Sequence, residues 1–263
     1  MTDILLTNDD GYQSIGFYPL YKELKKEFSV FAIPPLDQKS WIGKSISTRK
    51  NLELFDVKIG EYNIKSLNGT PADCVQVGLY NLLEEKPRLV VSGINAGENI
   101  GHGRILSSGT IGASMEASIS NVKSISTSLH IPPQIKARTD FSDTNNYKIF
   151  ESAAKITMKL IKILIDEELG PDVDLISINI PFSATISSEF NITKPFRDSY
   201  GKLFHKTGEE YKHINPPIVF SNPMNGTDLK ALSEGKISIT PISLELCSKN
   251  SIEKLEQKIK DKW

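Results

Sequence analysis

Short apolar runs alternate with amphipathic stretches along the first two thirds of the chain. Ile4-Leu5-Leu6 is apolar without alternation, the pattern of a strand buried on both faces of a parallel sheet. Residues 29–33, 88–92, 123–129 and 174–180 repeat it. Between them lie helix patterns: Phe17, Leu20, Tyr21, Leu24 and Phe28; then Val75, Leu79, Leu82 and Leu83; then Ile156, Leu160, Ile163 and Leu164 within 149–167. Residues 112–118 carry small side chains and predict a helix lying close on a sheet. Strand and helix in this alternation predict an α/β protein with a doubly wound, mostly parallel sheet. Residues 52–57 and 62–67, joined around Gly60, predict a hairpin beside that sheet.

After residue 181 the character changes. Residues 182–223 are polar and read as strands or a hairpin outside the main sheet. Thr227 to Gly235 reads as a short capped helix, and residues 236–242 alternate as a half-buried strand. Ser251 starts a last helix with a narrow apolar stripe (Ile252, Leu255, Ile259 and Trp263) amid charge, suited to packing on its own domain or on another subunit.

The chemistry gathers at strand ends. The first strand breaks at Asn8-Asp9-Asp10-Gly11, where open α/β sheets bind their ligands. The simpler reading is a turn with one carboxylate capping the next helix. Two adjacent ionised carboxylates repel, however, and call for a compensating cation. Their oxygens suit a hard divalent ion such as Mg²⁺ or Mn²⁺. Asn95, in the turn after residues 88–92, offers an amide oxygen, and Ser40, in the polar loop 37–45, a hydroxyl. Each alone reads equally as an ordinary turn residue.

Six glycines at 93, 97, 101, 103, 109 and 112 predict a loop that approaches something closely. Ser107-Ser108-Gly109-Thr110 then opens a helix with hydroxyls and free N–H groups, either a plain N-cap or a seat for an anion. A GxGxxG fingerprint does not follow the first strand, which argues against a dehydrogenase, and a P-loop pattern is absent. His102 lies between two loop glycines; His130, His205 and His213 have no partner spacing and read as surface.

Composition narrows the class. The chain has 263 residues, with 31 basic against 32 acidic, so no nucleic-acid or membrane surface is indicated. No apolar run approaches the roughly 18 residues of a membrane span. Cys74 and Cys247 are the two cysteines and neither has a neighbour at metal-ligand spacing; Cys74 reads as a buried small residue. A cytoplasmic protein is expected.

Asn8-Asp9-Asp10-Gly11, the run Asn68 to Cys74, Ser92-Gly93-Ile94-Asn95, Gly97, Asn99, Gly101, Ser108-Gly109-Thr110 and Ser238 to Pro241 together resemble the SurE family, in order and over nearly the whole chain. The resemblance implies a metal-dependent phosphatase acting on nucleoside 5′- and 3′-monophosphates. By matched position it puts the divalent metal on Asp9, Asp10, Ser40 and Asn95, and phosphate on Asn8, Asn99, Ser108, Gly109 and Thr110. It also implies a Rossmann-like core over 1–181. Residues 182–263 then comprise a hairpin arm, a return strand completing the core, and a helix exchanged between subunits of a homodimer or homotetramer. The sequence departs from the family at Gly103, where many members carry an acid, at Ser107, where they carry Tyr or His, and near Arg197, where arginine is sparser.

The expected reaction is phosphomonoester hydrolysis, with Asp9 or Asp10 taking a proton from water. An aspartyl-phosphate route usually shows acids two apart, unlike this adjacent pair. The rival from another class is a nucleotide-binding regulatory module, which would use the same phosphate loop without a metal.

Overall fold

A computed structural model describes residues 2–141, 143–197, 200–214, 224–247 and 251–261. Its strands are β1 (Ile4–Thr7), β2 (Val30–Ala32), β3 (Leu54–Ile59), β4 (Tyr62–Leu67), β5 (Leu89–Ala96), β6 (Ser124–His130), β7 (Leu175–Pro181), β8 (Phe190–Ile192), β9 (Phe204–Thr207), β10 (Glu210–His213) and β11 (Ile237–Ile242). The α-helices are α1 (Phe17–Leu24), α2 (Pro71–Val77), α3 (Gly101–Ser107), α4 (Gly109–Ile119), α5 (Pro133–Lys136), α6 (Lys148–Leu164), α7 (Asp228–Ser233) and α8 (Ile252–Lys260).

One seven-stranded sheet runs β2-β1-β5-β6-β7-β11-β8. It is parallel from β2 to β7, β11 returns antiparallel to β7, and β8 runs parallel to β11. The expected mixed α/β fold, with its mostly parallel sheet, is the one observed. From β1 the chain moves to β2 on one side and later to β5, β6 and β7 on the other. The switch point therefore lies between the carboxyl ends of β1 and β5, where such sheets open a crevice.

The two faces are covered separately. Phe17, Leu20 and Leu24 of α1 pack with Phe150, Ile156 and Ile161 of α6 on one face. Cys74 and Val75 of α2 pack with Ala113 and Ala117 of α4 on the other. Thr70 and Asp73 form a reciprocal capping box at the start of α2, with Asp73 N–H donating to Thr70 Oγ1 and Thr70 N–H to Asp73 Oδ2 at 3.0 and 2.8 Å.

Several expectations change. The strand expected to stop at Ser92 continues to Ala96, and its pairing with β6 shifts register between Ser92 and Asn95. Such a bulge re-aims side chains without ending the strand. The glycine-dense stretch is not all loop: α3 forms inside it. Tertiary contact overrides the poor propensity, since Ile100 is buried with Leu229 and Leu232 of α7 and Ile105 with Leu175 and Ile242. The helix read over 112–118 starts at Gly109, within the Ser107 to Thr110 run expected to open it. Within 182–223, β9 and β10 pair as the expected separate hairpin, but β8 joins the main sheet. There it covers the hydrogen-bonding edge of β11. Residues 215–223 and Trp263 lie outside the described residues. Ile252, Leu255 and Ile259 of α8 are each about half exposed.

Gly112 shows how closely α4 lies on the 40–44 loop: a Cβ there would overlap the Gly43 carbonyl and approach Lys44 N to 2.8 Å. Alanine inside a helix ordinarily stabilises by about 1 kcal/mol relative to glycine. Displacing backbone costs about 1–3 kcal/mol, so the clash wins. Gly112→Ala is expected to lower stability by up to about 2 kcal/mol net, seen as a lower urea midpoint at unchanged slope. A variant as stable as wild type would show that the loop yields freely.

Candidate active site

The β1 strand is wholly buried, so the residues immediately after it are held against the core. Asp9 is 5% exposed and Asp10 half-buried. Thr110 Oγ1 of α4 donates to Asp9 Oδ1 at 2.6 Å. The Ala96 N–H, at the end of β5, donates to Asp10 Oδ2 at 3.1 Å. Gln38 Nε2 donates to Asp10 Oδ1 at 3.3 Å and to Ser40 Oγ at 2.9 Å, tying the two candidate ligands together. Asn95 spends its amide N–H on the Gly97 carbonyl at 2.7 Å, which leaves its amide oxygen as the donor for a cation.

A cavity of about 780 Å³ opens here, with Asp9, Asp10, Ser40, Asn95, Asn99 and Ser108 on its polar wall. The structure thus brings all four candidate metal ligands together. Ser108 caps α4, its Oγ accepting from Ile111 N–H at 3.2 Å. Gly109 and Thr110 lie behind the acids. A Cβ at Gly109 would come within 2.8 Å of Asp9 Cβ, so only glycine lets the amino end of α4 seat directly on the carboxylate. Asn8 is fully buried and off the cavity wall; its amide donates to the Gly11 carbonyl at 2.8 Å. Its Oδ1 has no hydrogen-bond partner among the described residues. His102 lies outside the lining, with Nδ1 2.9 Å from the Phe196 carbonyl.

Burial pushes the Asp9 carboxyl up, reinforced by the charge of Asp10 and opposed by the Thr110 bonds. Burial also raises Asp10, against the Ala96 N–H, the Gln38 amide and the charge of Lys136. Among the described residues neither acid has an ion-pair partner. No group of three His, Cys, Asp or Glu side chains that could hold a metal occurs among them either. The donor set is instead two carboxylates, a hydroxyl and an amide oxygen, hard oxygens throughout, and it fits a hard divalent ion.

Several site residues escape sequence reasoning. His130, expected at the surface, is half-buried on the cavity wall, its Nδ1 2.8 Å from Glu98 Oε2. Burial alone would raise Glu98; the bond and charge of His130 outweigh it and hold the carboxyl low. Asn99 is fixed by Asn179 of β7, with Asn99 N–H donating to Asn179 Oδ1 at 2.8 Å and Asn179 Nδ2 to the Asn99 carbonyl at 3.2 Å. Its own amide donates to Ser128 Oγ of β6 at 3.0 Å. Asp228 Oδ2 accepts from Gly101 N–H at 2.7 Å, so α7 holds the start of α3. These partners lie up to 127 residues apart, and no local pattern announces them.

Comparisons with known proteins give the family. The profile of the family described as Survival protein SurE matches residues 4–202. The chain belongs to the SurE family. A protein named 5′-nucleotidase SurE from Methanocaldococcus jannaschii is 36% identical over 94% of each chain. One of the same name from Lawsonia intracellularis is 36% identical over 97% of this chain and 98% of its own. The crystal structure of the SurE protein from Aquifex aeolicus superposes with a TM-score of 0.79 at 28% identity, covering 98% of this chain and 99% of that one.

Gly103 and Ser107 meet at one residue, Tyr200. The Tyr200 hydroxyl lies against the Gly103 carbonyl and 2.7 Å from Ser107 Oγ. A Cβ at position 103 would come within 2.9 Å of the Tyr200 ring. Gly103 and Ser107 therefore make room for Tyr200 and hold it.

The raised acids make stability depend on pH. The folded, metal-free protein holds more protons than the unfolded chain above the ordinary aspartate pKa of about 4, so its stability falls as pH rises through that window. Asp9→Asn removes one buried charge and keeps an acceptor for Thr110. In EDTA it is expected to be more stable than wild type at pH 7.5, by on the order of 1–3 kcal/mol, with the advantage shrinking toward pH 4. Urea unfolding across pH measures this; an advantage independent of pH would refute the electrostatic account.

Proposed function

We propose that this protein is a divalent-metal-dependent phosphatase that hydrolyses nucleoside 5′-monophosphates, and 3′-monophosphates where they fit, to nucleoside and phosphate. The observation that carries the reading is the convergence of two adjacent carboxylates, without an ion-pair partner among the described residues, with the amino end of α4 at the sheet's switch point. The names of the relatives support the substrate class.

Asp9, Asp10, Ser40 and Asn95 would hold the ion, Mg²⁺ or Mn²⁺, which when bound supplies Lewis-acid polarisation of phosphate and an acidified water. Ser108 and the N–H groups opening α4 take phosphate oxygens, where the helix dipole favours negative charge. Asn99, its backbone held by Asn179 and its side-chain amide by Ser128, meets the same phosphate. Lys136 and Arg104 line the cavity and add positive charge to its wall. Gly109 and Thr110 act by seating the helix on Asp9, and Asn8 by holding the Asn8–Gly11 turn. Asp10, the more open of the pair, accepts the proton from attacking water.

Assembly belongs to the same reading. The half-exposed stripe of Ile252, Leu255 and Ile259 on α8 fits exchange with a second subunit in a homodimer or homotetramer. No helix of the described residues is long and apolar enough to cross a membrane.

Phosphate release from AMP is expected with Mn²⁺ or Mg²⁺, to vanish in EDTA and to return on adding metal. Asn95→Ala is expected to lower kcat/KM by about a hundredfold, consistent with the loss of a metal ligand. Tight AMP binding unaffected by EDTA, with no phosphate released under any metal, would instead favour the regulatory binding module.

A further inference from the structure

Trp41 stands out on conformational grounds. Its φ is +60°, and the other non-glycine residue at positive φ among the described ones is Asn121. Asparagine tolerates that region; a bulky aromatic side chain does so at a cost. A strained backbone persists where surrounding structure fixes it, and such outliers cluster at ligand clamps. Trp41 is also 38% exposed, large and apolar, and lines the same cavity as the acids. It comes directly after the candidate metal ligand Ser40 in sequence.

The indole is braced from the arm. The Tyr200 ring lies 5.3 Å from it at 51°, and His213 of β10 meets it edge-on at 5.0 Å. Phe204 of β9 in turn packs on His213 at 5.5 Å. Tyr200 is itself held by Ser107 and Gly103. Elsewhere the cavity lining is apolar at Ile131, Pro132 and Pro133. An indole cannot serve the phosphate, whose partners stand on the polar wall. A rigid aromatic surface beside that wall fits a flat heterocycle, and stacking is tolerant of base identity because every base has a π-face.

We propose that Trp41, braced by Tyr200 and His213, is the platform on which the nucleobase of the substrate stacks. The inference rests on the nucleotidase reading and deepens it: Trp41 sets the preference for nucleotides over base-free phosphate esters. It contributes to binding the leaving nucleoside and leaves the phosphate chemistry to the acids.

The test compares AMP with ribose 5-phosphate, which lacks the base, in wild type, Trp41→Gly and Trp41→Phe. Glycine relieves the positive φ, so the variant is expected to fold. For AMP its kcat/KM is expected to fall about tenfold to a hundredfold, mainly through KM. For ribose 5-phosphate the change is expected to stay within about twofold, and Trp41→Phe to recover most of the AMP activity, because its ring retains a stacking face. A merely structural role would lower both substrates together, and that result, or equal AMP activity in Trp41→Gly and wild type, overturns the proposal. Binding is read separately in a Trp263→Phe background, where AMP should quench the remaining tryptophan emission and ribose 5-phosphate should not. If wild type hydrolyses neither substrate under any metal, the hydrolase reading falls, while quenching by AMP still sustains stacking and its absence overturns it.

Discussion

The structure depends on holding two adjacent carboxylates, one buried and one half-buried, without an ion-pair partner among the described residues. Burial raises both acids, and the charge of Asp10 raises Asp9 further; removing a charge from solvent is costly unless it is matched. Around them stands a set of neutral donors, the Thr110 hydroxyl, the Ala96 N–H and the Gln38 amide, with the Lys136 charge acting on Asp10 without an ion-pair contact. These fix where the carboxylates point but do not neutralise them. A pocket that orients negative charge and declines to compensate it favours a cation from solution. The fold carries that penalty at its centre because β1 is buried by neighbours on both sides and the acids come directly after it.

Precision in such a site comes from elements distant in sequence. The bulge in β5 keeps the strand paired while bringing the Ala96 N–H to Asp10 and Asn95 to the cavity. Asn179 and Ser128 fix Asn99 from two further strands. Asp228, on the helix that precedes the return strand, anchors the start of α3. Each of these last bonds is buried, where an unmatched polar group would cost about 1–3 kcal/mol. The later third of the chain thus contributes rigidity to a site whose reactive groups lie in its first half.

This division explains what can be read from sequence. Ile4 to Asp10 and the hairpin around Gly60 are local patterns with local causes, and both are present as expected. The start of α4 is visible as hydroxyls beside glycine, Ser108 serving as its cap. Six glycines argue for loop where α3 forms, and only the packing of Ile100 and Ile105 against α7, Leu175 and Ile242 overrides that. His130 reads as a surface residue because its partner, Glu98, lies 32 positions away on another strand's end. Gln38 carries no signal at all, since its role is geometric: one amide spanning Asp10 and Ser40.

The loop after β2 joins these themes. It carries Gln38, Ser40 and Trp41 within four residues, and its Gly43 backbone is pressed against Gly112 of α4, while the Gly43 N–H donates to the Ser107 carbonyl at 2.9 Å. A helix that seats on Asp9 at its first residue therefore also fixes the loop bearing the hydroxyl donor and the indole. The acid-bearing end and the aromatic end of the cavity are held by one body, α4 and its loop. The aromatic end has a second support, the arm through Tyr200 and His213, that the acid-bearing end lacks. Changes in the arm can then reshape the aromatic end of the cavity while the acids keep their geometry.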